Sequence, residues 1–225
     1  MNFKLDDRLR SVASFVKEGA TVIDVGTDHA YLPIHLIETG TAVRALATDI
    51  NEGPLKNAED NVNTHGLSHK IALRLANGLD GAEDFGADTV LICGMGGELI
   101  ADILNRAPFV KQNGIRLVLQ PMTFADKLRE YLLSNGFRIL DEALSTDNKK
   151  LYTAICAEYD GVERKYGEVE LLIGRCNIEN RGEPLREAFI RREIRKLTKV
   201  RDGKESGHLP HASEDATIAA LLTLI

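Results

Sequence analysis

The most restrictive feature of the sequence is a regular alternation of short apolar runs with amphipathic segments. Five β-rich runs occupy residues 21–25, 44–48, 71–75, 88–93 and 115–119. Helical patterns lie between them, at about residues 31–39, 53–65, 97–106 and 123–135. Strands that are apolar along most of their length and alternate with helices predict a parallel sheet that helices cover on both faces.

The segment after the fifth strand departs from this alternation. Two further strand-like runs, 137–144 and 150–158, are joined only by the short polar stretch STDNK. A connection this short holds no crossover helix, so the two strands are predicted to be antiparallel neighbours at one end of the sheet. A mostly parallel α/β sheet with an antiparallel end strand is typical of Rossmann-like methyltransferases, whereas dehydrogenases usually keep the sixth strand parallel.

The pattern divides the chain into a sheet domain over residues 1–160 and a helical extension over residues 161–225. An amphipathic helix over residues 4–17 precedes the first strand. In the extension, apolar residues at helical spacing from 185 to 200 and a second apolar helix at 214–224 predict a small, coiled-coil-like α-helical hairpin. Its linker is placed at residues 203–210, and Ser213 is the predicted N-cap of the second helix.

Composition excludes several classes of protein. Hydrophobic residues make up 44% and charged residues 28% of the 225 positions, which is typical of a folded soluble chain. The charged N-terminal stretch has no signal-peptide core and the longest apolar run, ATIAALLTLI, is too short to cross a bilayer, so we expect a cytoplasmic protein without membrane contact. Three separated cysteines without a C-x-x-C pair give no support for a metal site or a disulfide framework.

Charge is distributed unevenly along the chain. The net charge of the whole chain is -6. Residues 181–204 carry nine Lys or Arg against four Asp or Glu, so the net charge of this segment is +5 and that of the remaining residues is -11. A basic helix of this kind predicts a surface that contacts RNA phosphates. Its candidate residues are Arg186, Arg191, Arg192, Arg195, Lys196 and Lys199. The alternative interpretation is a solvated helix face.

The ends of the predicted strands carry the candidate site, because ligands of such folds bind at the carboxyl ends of parallel strands. After the first strand, Gly26 begins a loop like that of dinucleotide-binding proteins, but Asp28 and Tyr31 stand where two more glycines are expected. A carboxylate at Asp28 repels a pyrophosphate and attracts S-adenosylmethionine, which has no phosphate and carries a sulfonium and an ammonium. Asp49, at the end of the second strand, is the expected partner of a ribose, or else a local cap.

Three motifs together resemble one family. DVGTDHAYLP at residues 24–33, CGMGG at 93–97 and LQP at 119–121 are similar to the bacterial tRNA (adenine(22)-N1)-methyltransferases, which are class I enzymes that use S-adenosylmethionine. The resemblance implies that the sheet domain binds this donor and that the helical extension helps to hold tRNA. Two positions depart from the family pattern: Asn77 replaces an acidic residue, and Met122 stands where an Asn is frequent.

The resemblance also implies roles for individual residues. The donor site would be lined by Asp24, Gly26, Thr27, Asp28 and Asp49; its adenine would be bordered by Asn77, Gly78 and Leu79; and Gly94, Met95 and Gly96 would lie by the methyl-transfer point. His29 is expected to contact donor or base, or to cap the next helix. Tyr31 is expected to stack on the base, or to pack locally.

The expected chemistry needs little acid–base catalysis. N1 of adenine has an in-plane lone pair and the methylated product is a cation, so position and electrostatics matter most. Asp28 is therefore the candidate catalytic residue, as a stabiliser of positive charge; the alternative is that it only binds the methionine ammonium or caps a helix. Other open alternatives are a methyltransferase with another RNA, protein or small-molecule acceptor, and an RNA-binding module with a vestigial donor site. The oligomeric state is left open.

Overall fold

The computed structural model describes residues 5–225, so residue 4, where the first helix was predicted to begin, lies outside the described residues. The strands are β1 (Ala20–Val25), β2 (Ala42–Asp49), β3 (Ile71–Leu75), β4 (Thr89–Gly96), β5 (Arg116–Thr123), β6 (Phe137–Asp147) and β7 (Lys150–Tyr159). The helices around them are α1 (Asp7–Ala13), α2 (Tyr31–Glu38), α3 (Glu52–Thr64), α4 (Gly97–Asn105) and α5 (Ala125–Ser134). Two short 3-10 turns, at Glu83–Phe85 and Pro108–Lys111, were not predicted.

The seven strands form one sheet in the order β3-β2-β1-β4-β5-β7-β6. Strands β1 to β5 pair in parallel, and β7 lies antiparallel to both β5 and β6. The predicted mostly parallel sheet with an antiparallel strand at one end is therefore confirmed. The chain runs outward from β1 to β3 and then returns to β4 on the other side of β1, which creates a switch point between β1 and β4.

Helices cover both faces of the sheet, as predicted, because side chains of a strand alternate between faces. Val22 of β1 packs in a buried cluster with Val12 of α1 and Ile34 of α2. Its neighbour Ile23 packs in the opposite cluster with Ile100 of α4. This double burial explains why the strands of the sequence are apolar along most of their length.

The β6–β7 hairpin is tighter than the sequence indicates. Asn148 and Lys149 have φ values of 47° and 63°, and Asp147 pairs with Lys150. Such a two-residue turn with both central residues at positive φ matches the twist of the flanking strands. Residues 145–147, which the sequence assigned to the loop, therefore continue β6.

The C-terminal extension contains α6 (Glu168–Ile173), α7 (Arg175–Glu179), α8 (Arg186–Ser206) and α9 (Ala212–Leu222). The predicted hairpin corresponds to α8 and α9, which run antiparallel: Arg186 donates to the carbonyl of Leu224 at 2.8 Å, and Lys204 pairs with Glu214 at 2.5 Å. The linker prediction is wrong at its start, since α8 continues through residue 203. The predicted cap is also wrong, because α9 begins after His211.

Helices α6 and α7 were missed because each is too short to show a helical period in the sequence. Their attachment to the sheet depends on two charged side chains, Arg129 of α5 and Glu142 of β6, that are fully buried and 2.6 Å apart (Nε–Oε1). The guanidinium of Arg129 also donates to the carbonyls at the end of α6, including that of Leu171 at 2.7 Å. Asn177 of α7 donates to the other oxygen of Glu142 at 3.4 Å. Buried ions require such partners, so this network seats the extension against the sheet.

Candidate functional site

A cleft of about 410 Å³ opens at the carboxyl ends of β1 and β4, at the switch point of the sheet. Its walls are the start of α1, the loop after β1 and the end of β4. The charged and polar side chains that line it are those of Asp6, Arg8, Asp24, Thr27, Asp28, His29 and Tyr31. Three carboxylates and one guanidinium thus face the same space.

The loop after β1 is anchored to the neighbouring strand. The amides of Gly26 and Thr27 both donate to the carbonyl of Thr48 in β2, at 2.8 and 2.9 Å. Gly26 has φ +75°, and a Cβ there would collide with the methyl group of Met95 in β4. The backbone conformation therefore favours glycine at this position, and any side chain there would also require the flexible end of Met95 to move.

Asp24 is the most perturbed carboxyl group in the cleft. Its residue is only 6% exposed, and burial raises its pKa from 3.8 to about 6, while a hydrogen bond with the Thr27 side chain acts in the opposite direction. Among residues 5–225, no Lys, Arg or His forms an ion pair with it. A buried carboxylate without a basic partner, next to an open cleft, is a favourable position for a cationic ligand.

Arg8 supplies the positive charge of the cleft. Its Nη1 donates to Oε1 of Gln120 at 2.8 Å, and the same oxygen accepts from the amide of Gly94 at 3.3 Å. Gln120 is fully buried, and Asp6 lies 3.6 Å from the guanidinium. The pair therefore joins α1 to the ends of β4 and β5 and holds the guanidinium in the cleft wall.

Sequence reasoning missed Asp6 and Arg8 as site residues; it counted Gln120 among the polar residues at strand ends but gave it no role. The LQP motif contained a signal for Gln120, since an amide in an otherwise apolar strand needs a buried partner. Nothing in the local sequence distinguishes Arg8 from the other charges of its helix, because Gln120, which holds it in the cleft wall, lies 112 residues away.

The predicted residues Asp28, His29 and Tyr31 lie together on the outer wall. The side chain of Asp28 is 69% exposed, with Oδ2 at 3.3 Å from Nε2 of His29. The His29 ring stacks on Tyr31 with centroids 4.9 Å apart. Asn61 of α3 donates to the His29 carbonyl at 3.0 Å, which fixes the loop.

The structure places Asp49 and residues 77–79 outside the lining of this cleft. Asp49 accepts from the amide of Asn51 at 2.8 Å, the local cap that was the alternative interpretation. Asn77 is exposed and accepts from Arg106 at 3.4 Å, and the Gly78 carbonyl accepts from Thr48 at 3.0 Å. Leu79 is 3% exposed and packs in the core, so any ligand contact from it has to come from its backbone.

The glycine-rich motif forms the end of β4, which extends through Gly96. Gly94 has φ +77° and lies beside Arg8, whereas a Cβ on Gly96 would lie 3.2 Å from the Thr123 hydroxyl. Gly97 is buried, and a Cβ there would collide with the carbonyl of Phe124. Burial and the charge of Asp24 raise the pKa of Cys93, so this thiol stays protonated and is no nucleophile.

Five of the six candidate RNA-contact residues of α8 fall into three groups, and the sixth, Lys196, is exposed and pairs with Glu193 at 3.0 Å. Arg186 donates to the carbonyls of residues 177, 178 and 224, which makes it a structural link within the extension. Arg192 donates to the carbonyl of Leu151 at 2.5 Å and so ties α8 to the β6–β7 hairpin. Arg191, Arg195 and Lys199 are exposed and four residues apart, so they share one outward face of the helix.

The residues described contain no cluster of His, Cys, Asp and Glu with metal-binding geometry. Two of the histidines are hydrogen-bonded to carboxylates instead: Nδ1 of His65 lies 2.7 Å from Oε1 of Glu38, and Nδ1 of His211 lies 2.7 Å from Oδ2 of Asp215. Within residues 5–225, no helix is both long and apolar enough to cross a membrane.

Comparison with known proteins agrees with this architecture. A family model described as a methyltransferase domain matches residues 5–155. The tRNA (adenine(22)-N(1))-methyltransferase of Bacillus subtilis is 35% identical over 171 residues, which cover 76% of this chain and 72% of that protein. The chain belongs to the tRNA (adenine(22)-N1)-methyltransferase family. The resemblance inferred from the three sequence motifs is thus confirmed.

Two solved structures are similar to this chain over nearly its whole length. The Streptococcus pneumoniae protein Sp1610, in complex with S-adenosyl-L-methionine, has a TM-score of 0.86 and 34% identity, with 98% of this chain and 99% of that chain covered. TrmK of M. capricolum, in complex with S-adenosyl-homocysteine, has a TM-score of 0.82 and 27% identity, with 98% and 97% covered. The likeness therefore includes the helical extension as well as the sheet.

Proposed function

We propose that this chain is an S-adenosyl-L-methionine-dependent methyltransferase that methylates N1 of adenine 22 in tRNA. The B. subtilis relative carries this activity in its name, and Sp1610 was solved with the donor. The observation that carries the proposal is the buried Asp24 carboxylate in an anionic cleft at the switch point. A tRNA acceptor also implies a cytoplasmic location.

The charges of the cleft suit this donor. S-adenosylmethionine carries an ammonium, a sulfonium and a carboxylate, and the cleft offers Asp6, Asp24 and Asp28 together with Arg8. We assign the ammonium to Asp24 and the donor carboxylate to Arg8. We assign the ribose to Asp49, which lies outside the lining of the cleft, at the end of the neighbouring strand β2. Gly26 lines the cleft and has no side chain, so the donor can approach the backbone of the loop there. When bound, the donor supplies an electrophilic methyl group.

The protein then has to position the base and stabilise the developing charge. N1 is on the Watson–Crick edge, so the adenine has to be unpaired or extruded to reach the cleft. Asp28 lies on the exposed wall, where its carboxylate is accessible to a base and is held by His29. We assign to it the stabilisation of the positive charge that develops on the methylated adenine.

A methyl-transfer assay tests the function directly. Labelled S-adenosylmethionine is incubated with an unmodified tRNA that has adenine at position 22 and with the same tRNA carrying guanine there. Label in the first alone, with a primer-extension stop at position 22, is the expected result. Label elsewhere would refute the substrate, and absence of both transfer and S-adenosylhomocysteine binding would refute the enzyme.

Asp28→Ala tests the catalytic assignment. We expect turnover to fall about 100-fold or more, since groups that stabilise charge developing in the transition state contribute on this scale. The melting temperature should not change, because the side chain is exposed. Glu18→Ala, an exposed carboxylate next to the amino end of β1, is the control and should leave turnover unchanged. Wild-type turnover in Asp28→Ala would contradict the assignment.

A further inference from the structure

The end of β5 presents an unusual run of exposed residues. Met122, Thr123 and Phe124 are all exposed, and the apolar side chains of Met122 and Phe124 retain 46% and 56% of their accessible surface. Gln120, which contacts Arg8 in the donor cleft, also donates to the Met122 sulfur at 3.7 Å. This exposed edge is therefore continuous with the wall of the donor cleft.

Phe124 has a backbone conformation that is unfavourable for an aromatic residue and that the fold could obtain from a smaller one. It has φ 54° at the N-cap of α5, where Ser, Thr, Asp, Asn or Gly is preferred. Its carbonyl accepts from Leu128 and packs against Gly97, so the backbone is rigid. Strained non-glycine residues with an exposed side chain concentrate at functional sites, which points to a ligand for the ring.

Helix α8, which is rich in basic residues, and the end of β5 line the same narrow cleft of about 80 Å³. Arg192, Glu193 and Lys196 of α8 line the cleft opposite Phe124. Glu193 is shared by the two cations, with Lys196 Nζ at 3.0 Å and Arg192 Nε at 2.8 Å, and Asp126 of α5 also lines the cleft, so two cations face two carboxylates there. Arg192 is held by the Leu151 carbonyl, whereas the Lys196 side chain is 62% exposed and accessible to solvent.

We propose that Phe124 stacks on an unpaired base that flanks the methylated adenine, while Lys196 contacts the phosphate backbone of the same segment. The inference rests on the proposed function and names the part of the protein that receives the acceptor strand. Phe124 follows β5, which is the strand next to β4, and it does not line the β1–β4 cleft. We therefore assign to the ring a neighbour of the target base and not the target itself. Aromatic rings and cations are the groups that bind single-stranded nucleic acids.

The Phe124→Asn variant removes the ring without lowering the stability of the protein, and so it tests the stacking role alone. Asn tolerates positive φ and is a good N-cap, so the melting temperature should stay the same or rise. The KM for tRNA should increase roughly 5- to 150-fold, the range expected for loss of one base–aromatic stack, while affinity for S-adenosylhomocysteine stays at the wild-type value. Val162→Asn, at another exposed apolar residue, is the matched control and should have wild-type KM.

Phe124→Trp gives a direct readout of the contact, because the chain contains no tryptophan. Saturating tRNA should quench its fluorescence, and methylation should be preserved; Val162→Trp should show no change. Lys196→Gln should lower the slope of log affinity against log salt by about 0.7, the value for one phosphate of a single strand. If wild type methylates tRNA but Phe124→Asn has wild-type KM, or the Phe124→Trp signal is unaffected by tRNA, the inference is overturned while the proposed function stands. If wild type does not methylate tRNA, the proposed function itself fails.

Discussion

Replacement of Asp24 by Asn is expected to stabilise the free protein at neutral pH and to weaken its binding of the donor. The carboxyl group is buried in the cleft, and its pKa is raised from 3.8 to about 6. A folded-state pKa above the unfolded value means that the folded protein holds this proton more tightly. The ionisation of Asp24 therefore costs stability as the pH rises from about 4 through 6.

The size of the effect follows from the two pKa values. A rise from 3.8 to about 6 corresponds to about 3 kcal/mol at pH values well above 6, and to almost nothing below pH 4. Asparagine has nearly the same shape and does not titrate, so this cost is absent in the variant. For a chain of this length, 3 kcal/mol corresponds to an increase in melting temperature of about 6–12 °C.

Thermal unfolding of wild type and Asp24→Asn, without donor and at several pH values from 4.5 to 7.5, measures this difference. The variant should melt higher at pH 7.5, and the gap should narrow steadily toward pH 4.5. Asp28→Asn, on the exposed wall of the same cleft, should change the melting temperature little at any pH. A gap that is absent at pH 7.5, or that does not depend on pH, would refute the argument.

Donor binding gives a second readout of the same group. An ammonium beside Asp24 favours its ionised form, so binding of S-adenosylhomocysteine near pH 5.5, where a group with a pKa of about 6 is about three quarters protonated, should release up to about 0.7 proton. Calorimetry in two buffers with different heats of ionisation measures this release. The Asp24→Asn variant should bind more weakly and release no proton; equal release from both proteins would contradict the assignment of the ammonium to Asp24.

Two further predictions concern the extension. Arg129→Met leaves Glu142 buried without a cation and should cost about 3–5 kcal/mol, or about 6–20 °C in melting temperature, as measured by circular dichroism. The double variant with Glu142→Leu should recover most of this loss, and a single variant as stable as wild type would show that the pair does not seat the extension. Charge reversal of Arg191, Arg195 and Lys199 together should weaken tRNA binding by at least 10-fold at low salt and reduce its salt dependence. Unchanged affinity in a filter-binding assay would exclude this face as a phosphate contact.

Much of the fold could be predicted because it depends on local patterns. Apolar strands such as 88–93 and the helical periods between them are visible in any short window of the chain. The antiparallel β7 followed from the length of one loop. Helices α6 and α7 could not be predicted in this way, because they are short and are held by side chains of the sheet domain, Arg129 and Glu142.

The candidate site divides along the same line. Asp24, Gly26 and Asp28 were predicted from one continuous stretch, the end of β1 and the loop after it, where the order of residue types carries the signal. Arg8 and Gln120 belong to the same cleft but come from elements 112 residues apart. Their contact is a property of strand order, which short sequence windows do not contain.

The sequence by itself determined the class of the sheet, the loop that avoids phosphates and the segregation of basic charge onto one helix, since each depends on residues close together in the chain. Only the tertiary structure determined which charged side chains are available to bind ligands. It buried Asp24 without a basic partner, used Arg186 and Arg192 to hold the extension, and held Phe124 rigidly in solvent. The physical reason is that desolvation and pairing depend on neighbours in space, and these neighbours are brought together only by the packing of the sheet and its helices.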